Sequence, residues 1–178
     1  QFLRKHGFTG DIWPVNPRVA DIDGMRCYAS IEDLPGTPDA AMILLGPLGT
    51  EDAARQLSAL GTSVAIVLAG GYGETGPAGV KRQAALSEAA GKMRVLGPNT
   101  IGLLNLRDGI TLSASGALDT EHLTAGSIGV ISQSGGILGS ILSRAAAKGI
   151  GLSHLAATGN EGDLEVCDIL EWMIGEGN

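Results

Sequence analysis

The sequence predicts an α/β protein built on parallel sheet, and three observations carry that prediction. Short apolar runs alternate along the 178 residues with longer stretches of helical period. Aromatic residues make up only 3% while Gly numbers 28, the composition of a core filled by Ala, Val, Ile and Leu with turns that need unusual backbone angles. Third, Ser127-Ile128-Gly129-Val130-Ile131 runs through Ser132-Gln133-Ser134-Gly135-Gly136 into Ile137, Leu138, Ile141, Leu142 and Ala145 at helical spacing. A strand there feeds a helix through a turn of small residues.

Taken in order, residues 11–15 read as a strand, 40–45 as a second, 63–68 as a third and 94–96 as a fourth. Helical patterns at 50–60 and 77–90 lie between them, the alternation that makes doubly wound parallel sheets through right-handed crossovers. Residues 103–112 read as a short hairpin-like edge. The polar, turn-rich stretch 119–126 marks a domain boundary near Leu118–Thr124. The strand-turn-helix at 127–145 then opens a fresh unit, which continues with a strand at 151–156 and a helix at about 164–174.

Composition narrows the function classes. With 44% hydrophobic and 17% charged residues the chain can bury a core, and a net charge of −7 argues against a nucleic-acid or anionic-membrane surface. A phosphate-bearing ligand would need local devices rather than a broad basic field. Cys27 and Cys167 stand far apart without CxxC spacing, so neither a zinc site nor a disulfide framework is implied and no metal site is expected. Nothing resembles a signal peptide or an apolar span of membrane length, and the expected compartment is the cytoplasm.

Ser132, Gln133, Ser134, Gly135 and Gly136 are the leading phosphate-seat candidates. A turn of this kind leaves the first helical N–H groups unpaired, and side-chain-free Gly lets an anion approach them. A side chain at Gly135 is expected to intrude on that anion while leaving the helix able to form. The plainer alternative is a strand-to-helix turn in which Ser134 is an N-cap. Gly71-Tyr72-Gly73-Glu74-Thr75-Gly76 spells G-x-G-x-x-G. It lacks the acidic partner about 20 residues on and does not follow the first strand of its unit, so it is not a dinucleotide fingerprint. It remains a loop at the carboxyl end of a strand, facing a ligand or serving as a plain turn.

Leu96-Gly97-Pro98-Asn99-Thr100-Ile101-Gly102, the Ser132–Gly136 turn, and Thr158-Gly159-Asn160-Glu161-Gly162-Asp163 followed by Asp168-Ile169-Leu170-Glu171 occur in the order and rough spacing of the NDP-forming acyl-CoA synthetases. The chain resembles that family, which includes the succinyl-CoA ligase α subunit, throughout its length. Gly7-Phe8-Thr9-Gly10-Asp11-Ile12-Trp13-Pro14-Val15-Asn16-Pro17, with Gly24–Tyr28 and Leu34-Pro35 after it, matches the family's second-strand region. The resemblance implies a Rossmann-like CoA-binding domain at 1–121, followed at 122–178 by the beginning of a flavodoxin-like parallel α/β domain. It also implies that a strand and Gly-rich loop precede Gln1.

By the same resemblance CoA is held by Arg18, a permanently charged fork suited to phosphates, by Leu45-Gly46-Pro47 and by Ala69-Gly70-Gly71. Asn99 lies where the pantetheine thiol end would approach the second domain, or else caps its own backbone. Asn160 and Glu161 would order the neighbouring loop, although acidic residues there also suit a helix dipole. The implied activity is an acid–CoA ligase making an acyl-CoA thioester through acyl-phosphate and phosphohistidine intermediates. ATP/ADP with Mg would sit on an ATP-grasp domain or subunit, the phosphohistidine would lie beyond Asn178, and the whole would be an oligomer. His6 and His122 read as helix-end or surface residues and His154 as a packed strand residue. Gly139, where succinyl-CoA ligases carry Tyr, and Ser-Gln-Ser in place of Ser-Arg-Ser favour the acetyl-, aryl- or longer-acyl branch. The alternative is the CoA-binding regulatory module of a protein acetyltransferase.

Overall fold

The computed structural model describes residues 1–175, so the last three positions of the stretch assigned to the second domain lie outside the described residues. The chain opens with a short helix α1 (Phe2–Lys5) and a hairpin of β1 (Asp21–Ile22) and β2 (Met25–Arg26). The hairpin turns at Asp23 and Gly24, whose φ values of 53° and 77° suit Gly and Asp better than branched residues. Next come β3 (Ala40–Ile43), α2 (Pro47–Leu60), β4 (Val64–Val67), α3 (Pro77–Ala90) and β5 (Arg94–Leu96).

Both long helices of this unit begin with Pro in the first turn, where its missing N–H costs nothing, and end on Gly with positive φ, 90° at Gly61 and 57° at Gly91. β3, β4 and β5 pair in parallel in that order. Ile43, Ala65, Val67 and Val95 meet Ala53, Ala54 and Leu57 of α2 and Leu86, Ala89 and Ala90 of α3 in one core. The alanines let α2 and α3 lie close together over the sheet, whose strands need β-branched bulk.

Residues 11–15, expected as a strand, form none. Val15 makes one parallel bridge to Tyr28, supported by Asn16 N–H to Tyr28 O and Tyr28 N–H to Pro14 O, both 2.8 Å. A strand exists only as part of a ladder, Pro14 can donate no bond, and beyond the Tyr28 N–H to Pro14 O bond that flanks the single bridge no ladder runs along 11–14 among the described residues. The outer edge of β3 is likewise unpaired among the described residues.

The second unit is a four-stranded sheet. The hairpin of β6 (Gly102–Asn105) and β7 (Ile110–Ser113) leads to β8 (Ala125–Ser132), α4 (Gly135–Ala147), β9 (Leu152–Ala157) and α5 (Val166–Gly175), with strand order β7-β6-β9-β8. β8 and β9 are parallel, whereas β6 joins β9 antiparallel, so the hairpin expected at 103–112 extends this sheet. Leu104 and Leu118 share a core with Leu138, Leu142, Ala145, Leu152 and Leu155. By packing, then, the chain from Gly102 to Leu118 goes with the second unit. On α4 the apolar stripe divides: Leu138, Leu142 and Ala145 are buried, while Ile137 and Ile141 stay exposed. Complete burial of Leu138 and Leu142 contributes about 1.5–3 kcal/mol each.

Two seams join the units. Phe2 packs against the second core, and beside it His6 Nε2 meets Leu118 O at 2.9 Å and Lys5 Nζ donates to Asp119 O at 2.6 Å. The second seam is the loop after β9. Asn160, Gly162 and Leu164 N–H groups donate to Pro98, Gly97 and Val95 carbonyls at 2.9, 2.8 and 3.1 Å, and the Asp163 carboxylate accepts from Arg94 Nε and Val95 N–H at 2.9 and 2.7 Å. The Asp163 hydrogen bond is the first cause of a raised Arg94 pKa.

Candidate functional site

All of the candidate ligand loops except the one carrying Arg18 lie at the carboxyl ends of parallel strands, where open α/β sheets receive ligands. The Ser132–Gly136 turn follows β8. Ser134 Oγ accepts from Ile137 N–H at 3.4 Å, and Ser132 Oγ accepts from Ser134 N–H at 3.1 Å. Ser134 is thus an N-cap, and the cap leaves a seat beside it: among the described residues no hydrogen bond takes the N–H of Gly135 or Gly136. The two glycines differ. A Cβ on Gly135 would stand 2.7 Å from Ile101 Cγ2, whereas one on Gly136 meets nothing nearer than Ser134 Oγ at 3.9 Å. The expectation that a side chain at Gly135 would spare the helix is therefore corrected: Gly135 is required for packing against Ile101, and Gly136 is the open position.

Beside the seat an open cleft of about 500 Å³ runs along α4, lined by Gly136, Gly139, Ser140, Ser143 and Arg144 against Ser115. A Cβ on Gly139 would lie 3.1 Å from Ser115 Oγ, so a large side chain there would have to fill the cleft or displace that serine.

In the first unit, the structure brings three of the predicted loops together. Pro47 Cγ lies 3.3 Å from the Cβ position of Gly71, and the Gly70 Cβ position lies 3.2 Å from Asn99 Oδ1 and from Glu74 Oε1. Asn99 N–H donates to Ala69 O at 2.8 Å. Leu44, Leu45 and Leu48 stand 69%, 50% and 90% exposed around Gly46, an apolar lip at the start of α2. Arg18 is not joined to these loops. Its N–H donates to Asn16 Oδ1 at 2.9 Å, and its guanidinium makes no hydrogen bond or ion pair among the described residues.

Residues that sequence reasoning missed hold the Ala69–Gly71 loop in shape. Glu74 accepts from the N–H groups of Gly71 and Tyr72 and from Asn160 Nδ2, and Arg82 Nη1 donates to Gly71 O. Burial pushes the Glu74 carboxyl up, but these hydrogen bonds, led by Asn160, outweigh it and hold the pKa below its ordinary value. The acidic residue inside G-x-G-x-x-G was the available signal. Tyr72 is fully buried beside Thr50 without a hydrogen bond of normal geometry, and burial first of all raises its pKa. Asn160 and Glu161 sit on the loop after β9, where Glu161, at φ 54°, accepts from Thr158 Oγ1 at 2.8 Å. Thr158 and Gly159 N–H groups reach Ser132 and Gln133 carbonyls at 3.0 and 3.2 Å.

Among the described residues no group of three or more His, Cys, Asp or Glu side chains could hold a metal ion, and no helix is long and apolar enough to cross a membrane. His154 packs edge-on against Trp172 with ring centroids 5.0 Å apart.

Residues 1–105 match the family described as CoA binding domain, and residues 125–178 match the succinyl-CoA ligase like flavodoxin domain. The α subunit of an ADP-forming acetate–CoA ligase II from Pyrococcus furiosus is 29% identical over 92% of this chain and 35% of its own length. A trans-feruloyl-CoA synthase from an unknown prokaryotic organism is 29% identical over 98% of this chain and 25% of its own. A dinucleotide forming acetyl-coenzyme A synthetase 1 from Ca. Korarchaeum cryptofilum, solved in complex with phosphate and ADP, superposes with a TM-score of 0.87 at 27% identity, covering 97% of this chain and 37% of that one. The chain spans about a quarter to a third of the length of the curated relatives it matches.

Proposed function

Because the chain belongs to the CoA-binding domain family, we propose that it is the CoA-binding portion of an ADP-forming acid–CoA ligase. In the reaction a carboxylic acid, CoA and ATP give an acyl-CoA thioester, ADP and phosphate. The observation that carries the reading is the meeting of the 45–47, 69–71 and 97–99 loops with the loop after β9, which itself abuts the Ser132–Gly136 turn. CoA lies across the first three, with its phosphates toward Arg18 and its thiol toward Asn99. The Gly135 and Gly136 amides hold a phosphoryl oxygen, since two unpaired N–H donors at a helix N-terminus favour negative charge. The open cleft at Gly139 receives the acyl group of the acetyl, aryl or longer-acyl acids that this branch uses.

Nothing in this arrangement relays a phosphoryl group. His6 is spent on Leu118 O, His122 stands exposed on the stretch before β8, and His154 packs against Trp172. The relaying histidine, the ATP-grasp element and its ATP/ADP with Mg belong to another part of the protein or to a partner subunit, in an oligomeric cytoplasmic enzyme.

Calorimetry with CoA tests the reading. Arg18→Ala removes a charge-assisted contact and is expected to weaken CoA about tenfold or more, with pantetheine, which lacks the phosphates, less affected. Equal loss for both would make Arg18 a fold residue, and NAD binding tighter than CoA would overturn the assignment.

A further inference from the structure

Asn160, expected to order its own neighbouring loop, reaches across to the first unit as well. Its side-chain amide is spent at both ends: Oδ1 accepts from Asn99 Nδ2 at 3.2 Å, and Nδ2 donates to Glu74 Oε2 and to Gln83 Oε1, the latter at 3.3 Å. Gln83 Oε1 also accepts from Gly73 N–H at 3.1 Å. Glu74 Oε1 accepts from the Gly71 and Tyr72 amides, and Oε2, which holds Asn160, accepts from the Tyr72 amide as well. One carboxylate therefore shapes the turn after β4 and grips a side chain 86 positions away, on the loop whose next contacts are Ser132 and Gln133.

We infer that Glu74 is a positioning residue that clasps the Ala69–Gly71 loop of the first unit to the Thr158–Asp163 loop of the second through Asn160, so that the two ligand-bearing loops are held as one piece. Without the clasp, the two loops stay joined only indirectly, through the 97–99 turn, whose Gly97 and Pro98 carbonyls accept from Gly162 and Asn160 N–H and whose Asn99 N–H donates to Ala69 O, and through Gln83. The Gly71 amide then samples orientations in which Gly70 no longer lies between Asn99 and Glu74. A carboxylate suits the task because it can accept from two backbone amides and a side-chain amide at once, whereas a neutral amide must turn one end into a donor.

That asymmetry supplies the test. In Glu74→Gln the substituting amide can still accept from Gly71 and Tyr72, but its NH₂ faces the NH₂ of Asn160. In Asn160→Asp two carboxylates face each other. Combining Glu74→Gln with Asn160→Asp reverses donor and acceptor and rebuilds the contact between positions 74 and 160, while Asn99 can still donate to the new carboxylate and only the longer bond to Gln83 Oε1 is given up. Hydrogen exchange at the Gly71 and Tyr72 amides is read in the 178-residue chain. Each single variant is expected to exchange about tenfold faster, and the pair to return within about twofold of the parent, the non-additivity of residues in contact. Unchanged exchange in the single variants, or additive losses in the pair, would overturn the clasp.

The effect on the ligand rests on the CoA reading, so CoA affinity is measured on the same four proteins. It should fall severalfold in the singles and recover in the pair. CoA affinity equal in all four, with exchange behaving as described, would show that the clasp orders a loop CoA does not touch and would overturn its positioning role. A parent that binds no CoA, with the exchange pattern intact, would remove the CoA assignment and leave the clasp standing.

Discussion

α2 and α4 both start directly after a parallel strand, at the same end of their sheets, and they present opposite chemistry. α2 starts on Gly46-Pro47: Gly46 has no side chain to cap with, Pro47 has no N–H to offer, and exposed leucines surround the turn. α4 starts on Ser134-Gly135-Gly136, where a hydroxyl caps one amide and two more stay free. The first is shaped to meet apolar surface and the second to meet an anion. Topology puts both turns where open α/β sheets receive ligands, and the residues at Ncap and N1 decide what chemistry each turn offers.

The comparison breaks most severely at Gly135. Gly135→Val drives a side chain into Ile101 and is expected to destabilise the chain by about 1–3 kcal/mol or more, seen as a lowered thermal midpoint. Gly136→Val, pointing into open space, should keep the fold and lose phosphate or sulfate binding by calorimetry. Loss of fold in both variants, or retained anion binding in Gly136→Val, would show that the turn is structural only.

Removing the cap is the next largest change. Ser134→Ala should cost about 1 kcal/mol of stability in urea unfolding, because Ile137 N–H loses its acceptor. A loss below a few tenths would mean that the 3.4 Å bond contributes little.

Acid separates the units by a different route, since the Ser134 cap does not ionise and the Glu74 clasp does. A carboxyl whose pKa is lowered on folding adds stability that is fully present above its unfolded value of 4.5 and is lost as pH falls through the folded value. The parent should therefore lose stability more steeply than Glu74→Gln below pH 4.5, by less than the Ser134 cap contributes because Glu74 is exposed to solvent. Parallel acid profiles would show that the carboxylate does not stabilise the fold.

The smallest effect belongs to Gly46→Ser. Nothing lies within 4 Å of the added Cβ and φ is an ordinary −67°, so stability should rise by no more than a few tenths of a kcal/mol. CoA affinity should nonetheless fall if this turn lies against the ligand, and unchanged affinity would move CoA away from α2.

What the amino-acid sequence made legible was what local chemistry decides. α3 spans the predicted residues 77–90 and β5 the predicted 94–96, because Gly-Pro at the start and Gly at the end of α3 act within a few residues. The Ser134 cap was legible for the same reason. Residues 11–15 were misread because apolar alternation shows that a segment can line a sheet, while the ladder that makes it a strand is supplied by other chain. On α4 the period marked five apolar positions, and only the neighbours around them decided that Leu138, Leu142 and Ala145 face inward while Ile137 and Ile141 do not.

The site divides along the same line. Glycine-rich turns after strands, a Ser cap and a −7 charge that argues against a broad basic field are properties of adjacent residues or of composition, and they are fixed before the chain folds. That Glu74 meets Asn160, that Ile101 forbids a side chain at Gly135, and that the β6–β7 hairpin serves the second sheet are contacts between residues distant in sequence. No local pattern encodes them, because hydrogen bonds and steric exclusion act over a few ångströms of space, and only the packed sheets and helices bring those atoms within that range.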